Sequence, residues 1–128
     1  MAESFQIREE RQGPVTVFRL EGFLDAHTAP QFEEELQKKV AAGDHNIVVD
    51  GAALTYISSA GLGVFMSFIE EVREAGGDIR IGGLIPKVRQ VFDILGFIEI
   101  FQILDTADAA VGSFSASAGE GSMTAAEG

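Results

Sequence analysis

Residues 46–81 read NIVVDGAALTYISSAGLGVFMSFIEEVREAGGDIRI. The first five, Asn46 to Asp50, are a β-branched run that is apolar on both faces, as expected of a strand covered on both sides and therefore central in a sheet. Leu62, Phe65, Met66, Ile69 and Val72 then recur at i, i+3, i+4, i+7 and i+10, the spacing of one helix face, and Gly76-Gly77 supplies a left-handed stop. Asp78 to Ile81 follows as a second strand. A strand, a helix and a strand in this order predict parallel pairing through a crossover connection.

On the N-terminal side, Phe5 and Ile7 alternate with polar residues, Gly13-Pro14 punctuates, and Val15 to Leu20 resumes an apolar run, which predicts a β-hairpin closed off by Gly22. Thr28-Ala29-Pro30-Gln31 offers a capping hydroxyl, a first-turn proline and a glutamine able to complete a capping box. A helix is expected from residue 29 to Gly43, with Phe32, Leu36 and Val40 inward. On the C-terminal side, Pro86 opens a helix that turns Val88, Val91, Phe92 and Leu95 inward and ends at Gly96. A short strand is expected within Ile98 to Ile103 and a helix over residues 106–112. From Ser113 to Gly128 the chain is mostly Ser, Ala, Gly and Glu, the composition of a disordered tail. The predicted fold class is α/β in two layers, a mixed sheet with helices packed mainly on one face, formed by one domain over residues 1–112.

Composition narrows function. The chain has 128 residues, 46% of them hydrophobic, enough for one folded core. Nine basic against twenty acidic side chains leave a net charge of −11, which opposes phosphate backbones and anionic lipid heads, so neither nucleic acid nor membrane is expected as a partner. No cysteine and only two histidines, His27 and His45, argue against a metal site. Met1-Ala2-Glu3-Ser4 lacks the basic and apolar regions of a signal peptide, and no apolar run reaches spanning length, so a cytoplasmic location is expected. Ten Phe with no Trp suit a dry core better than a polar pocket, and no cofactor or catalytic residue is expected.

The segment that demands a reason is Tyr56-Ile57-Ser58-Ser59-Ala60-Gly61-Leu62-Gly63. A helical glycine costs about 0.8 to 1 kcal/mol relative to alanine, so Gly61 and Gly63 imply close packing or close approach. A phosphate-cradling loop is disfavoured, since Gly-Lys-Ser/Thr is missing and no Lys or Arg stands between Asn46 and Glu71. A nucleophilic serine is disfavoured by the absence of Gly-x-Ser-x-Gly. Two readings remain open on spacing alone: a helix cap on Ser58 or Ser59 with packing glycines, or a phosphoacceptor at a helix start, where a phosphate meets free N–H groups and the positive dipole end.

Gly22-Phe23-Leu24-Asp25, the acidic helix after it, Asn46 to Asp50, Ser59-Ala60-Gly61-Leu62-Gly63, Ala75-Gly76-Gly77 and Val88 to Phe97 together resemble the anti-sigma-factor antagonists, which have the STAS fold. The likeness runs over about residues 5 to 112. It implies a non-enzymatic protein whose unphosphorylated form binds an anti-sigma factor, itself a serine kinase of the GHKL ATPase type, and so releases a sigma factor. It also implies a PP2C-type phosphatase that resets the modified form. The family's acceptor serine falls on Ser59, with Ser58 as the second candidate because it stands where the family usually has Asp. The acidic residue of the Gly-x-Leu-Asp step falls on Asp25. Docking is expected through Asp25, Ser58, Ser59, Gly61 and Leu62. The alternative is a STAS scaffold subunit of a lipid-transport or stress-signalling complex that is never phosphorylated.

Overall fold

A computed structural model describes residues 5–115. Strand β1 (Gln6–Gln12) and β2 (Val15–Leu24) form the expected hairpin, antiparallel with Gln12 opposite Val15. Then follow α1 (Ala29–Ala41), β3 (Asn46–Ile57), α2 (Ser59–Glu74), β4 (Asp78–Gly82), α3 (Pro86–Ile94), a 3-10 turn at Phe97–Glu99, β5 (Ile103–Leu104), and a last helix, α4, over residues 107–115. The sheet order is β1-β2-β3-β4-β5, with every pair after the first parallel, so β3 is central.

The two faces of β3 sort the layers. Ile47 and Val49 join Phe18, Leu20 and Ile81 under α1, α2 and α3 in the main core. Phenylalanine rings fill it: Phe65 meets Phe92 and Phe101 edge to face, each at 5.8 Å centroid to centroid, and Phe32 in a tilted contact at 5.3 Å. Val48 points the other way and packs with Val15 and Val17 against Ala107, Ala110 and Phe114 of α4. The helices therefore lie mainly on one face, with α4 on the other.

Several expectations need correction. Gly22 does not end β2; it adopts a positive φ of 98° between two register shifts, and pairing with β3 continues to Leu24 opposite Ile57. The expected strand within 98–103 shrinks to the 3-10 turn and the two-residue β5. Leu95 is exposed because α3 stops one residue before it. Met66 is also exposed, and Val64 and Phe68 are buried in its place. Helix α4 passes the expected boundary at Ser113: Phe114 is buried, its ring 4.2 Å beneath the Arg80 guanidinium, and Ser113 accepts a hydrogen bond from Arg80 at 2.8 Å. The remainder of the tail, residues 116–128, lies outside the described residues.

Candidate functional site

Parallel strands β2 and β3 end side by side, at Leu24 and Ile57, so the next residues of each, Asp25 and Ser58, emerge together at the carboxyl end of the sheet. Two backbone contacts tie these ends. The Ser58 N–H donates to the Leu24 carbonyl at 3.0 Å, and a Cβ at Gly61 would stand 2.8 Å from that same carbonyl oxygen and 2.8 Å from Leu24 Cγ. Only a residue without a side chain lets the first turn of α2 rest there.

The two serines differ in their place at the start of α2. Ser58, in extended conformation, is the N-cap of α2, and its hydroxyl faces the Gly61 N–H at 3.5 Å, a long contact. Ser59 is the first helical residue, exposed, and takes no part in that cap. Asp25 is half-buried in the turn between β2 and α1. Its Oδ1 accepts from the N–H groups of His27 at 2.9 Å and Thr28 at 3.2 Å, while its carbonyl accepts from Ala29 at 2.8 Å. Its carboxylate therefore organises the entry to α1, the service that Thr28 and Gln31 were expected to perform. Thr28 makes no side-chain cap.

Asp25, Ser58 and Ser59 thus meet on one rim, whereas Gly61 and Leu62 do not reach the surface. Gly61 is buried against Leu24 and Ile57, and the Leu62 side chain, 1% exposed, belongs to the main core. What the structure gives both residues is the seating of α2 against the strand ends. On the outer face of that helix Gly63 has open space around it, beside exposed Met66 and Ser67.

An aromatic pair escaped the sequence reading. Phe23 and Tyr56 are cross-strand neighbours, 40% and 48% exposed, with ring centroids 5.5 Å apart, each two residues before the rim. Phe23 lies between buried Gly22 and Leu24, so strand alternation alone turns it outward. The shifted titratable groups lie elsewhere: the Arg19 guanidinium, which also pairs with Asp50, holds the Glu10 carboxyl below its ordinary value. Among the described residues no cluster of three or more His, Asp or Glu could hold a metal ion, and no helix is long and apolar enough to cross a membrane.

Residues 6–110 match the STAS domain family. The chain is 38% identical over 95 residues to BtrV of Bordetella bronchiseptica, described as an anti-sigma factor antagonist, covering 74% of this chain and 82% of that protein. The fold resembles an anti-sigma factor antagonist from Mycobacterium paratuberculosis with a TM-score of 0.79 at 24% identity, over 86% of this chain and 93% of that one. It also resembles SpoIIAA, a Bacillus cell fate determinant and anti-sigma factor antagonist solved in unphosphorylated and phosphorylated forms. The TM-scores are 0.68 and 0.67 at 22% identity, covering 88% and 87% of this chain and 98% and 99% of those structures.

Proposed function

Because the chain belongs to the STAS domain family, we propose that it is an anti-sigma factor antagonist whose binding is switched by phosphate on Ser59. The unmodified rim of Asp25, Ser58 and Ser59 docks on an anti-sigma factor serine kinase of the GHKL type and releases a sigma factor. The kinase transfers phosphate to Ser59 and the complex separates. A PP2C-type phosphatase restores the binding form.

One observation carries this reading: Ser58 caps α2 while Ser59 stands exposed beside it, so a phosphate on Ser59 would leave the cap in place. Negative charge at a first helical position is favourable to the helix. The switch must therefore act at the partner's surface, where added charge and bulk oppose docking next to the Asp25 carboxylate.

The test is incubation with the cognate kinase and ATP, followed by mass-spectrometric mapping. A single phosphate on Ser59, absent from Ser59→Ala, is expected. Phosphate confined to Ser58, or none, defeats the assignment. Ser59→Asp should weaken kinase binding on the order of a hundredfold, since unfavourable charge at an interface costs several kcal/mol. Its melting temperature should stay within about 2 °C of the parent, as for a surface substitution.

A further inference from the structure

Thr28 does not do what its place at a helix start suggests. Its Oγ1 turns back from α1 and accepts the Asp25 N–H at 2.9 Å. Its single proton goes to the Phe23 carbonyl, also at 2.9 Å, since the Asp25 carbonyl and Oδ1 are both 3.4 Å away. The hydroxyl therefore bridges the backbone on either side of Leu24, the residue whose carbonyl receives the Ser58 N–H. The Thr28 N–H meanwhile donates to Asp25 Oδ1. Asp25 is held at its own N–H, its carbonyl and one carboxylate oxygen, and Thr28 supplies a partner to all three. Oδ2 takes no part in this turn.

We propose that Thr28 is a positioning residue: its hydroxyl fixes the backbone on both sides of Leu24 and so seats the Asp25 carboxylate on the His27 and Thr28 N–H groups in one orientation, with Oδ2 directed away from the turn and available to the docking partner. This rests on the reading that Asp25 belongs to the docking rim. The hydroxyl is the needed part, because it alone both accepts from residue 25 and donates to residue 23. Serine can replace threonine here, whereas valine, of the same shape, cannot.

Two measurements separate this proposal from the reading beneath it. Scalar couplings of the full chain, without partner, report the Asp25 χ1 angle. One rotamer is expected in the parent and in Thr28→Ser, and averaging in Thr28→Val and in Thr28→Ala, the second variant guarding against disturbance by the valine methyl. Affinity for the purified cognate anti-sigma kinase is the other readout. Thr28→Val should bind on the order of tenfold more weakly, in line with the loss of one or two oriented hydrogen bonds, and Thr28→Ser within about twofold of the parent. In an Asp25→Ala background Thr28→Val should add nothing. An Asp25 rotamer that stays single in Thr28→Val and Thr28→Ala, or a full Thr28→Val penalty persisting in the Asp25→Ala background, overturns the positioning role alone. Asp25→Ala binding as tightly as the parent overturns the docking rim, and the positioning role with it.

Discussion

Two glycines of one motif, two residues apart, answer to different physics. Gly61 faces the sheet, where an added Cβ would meet Leu24 O and Leu24 Cγ at 2.8 Å and Ile57 Cγ1 at 3.0 Å. The backbone oxygen cannot rotate aside, so Gly61→Ala must push α2 off the strand ends, and a loss of about 1 to 3 kcal/mol is expected. Gly63 faces outward, and a Cβ added there would meet nothing within 4 Å. Gly63→Ala should therefore stabilise the fold by up to about 1 kcal/mol, the helix propensity difference. Urea unfolding of the two variants checks both signs, and a destabilised Gly63→Ala would show that its surroundings are not open. The sequence could say that both glycines need a reason but not which one packs, because facing is decided by where β2 ends. The same limit applied to the serines: either could cap α2 by spacing, and the extended backbone at Ser58 decides in its favour.

Among the elements, α4 shows how a composition signal can miss a packing demand. Ala107, Ala110 and Phe114 recur at i, i+3 and i+7, a helical stripe that covers Val15, Val17 and Val48 on the second face of the sheet. Phe114→Ala removes a buried ring and its contact with the Arg80 guanidinium. A loss of roughly 2 to 3 kcal/mol is expected, below the range for a fully enclosed Phe because the residue remains 9% exposed at the end of the helix. An unchanged denaturation midpoint would mean that α4 contributes nothing to the domain. The helices with a strong apolar period, α1 and α2, were legible in sequence, as was the central run of β3, because periodicity reports burial directly. The far halves of β2 and β3 were not. Gly22 reads as a strand terminator but serves as a bulge, and Gly51-Ala52-Ala53 lacks β-branching although Ala53 and Leu54 pair with β2. Those hidden extensions are what carry Asp25 and Ser58 to one rim, so the site residues could be named one at a time while their meeting point could not.

Across the whole molecule the charge balance sets how stability responds to acid. With twenty acidic and nine basic side chains, mutual repulsion near neutral pH opposes compactness, and it relaxes as pH falls toward the sequence pI of 4.4. Against that trend runs Glu10 on β1. Its carboxyl is held below the usual 4.5 first by a hydrogen bond from Arg19, 3.0 Å from its Oε1, and next by one from Gln12. Arg19 is raised in turn, chiefly by the same bond. A carboxyl depressed in the folded state adds stability that is present above its unfolded value and disappears as pH falls through the folded one. Glu10 is exposed, so this contribution is small and screened by salt. The raw melting curve therefore mixes two opposed effects, and the difference between parent and Glu10→Gln isolates one. At low salt the parent should melt above the variant at pH 7, and the gap should narrow below about pH 4.5. Raising the salt to 1 M should shrink the gap at pH 7 as well, because the Debye length falls to about 3 Å. A gap that widens on acidification would reverse the sign assigned to Glu10 and remove the Arg19 bond as its cause.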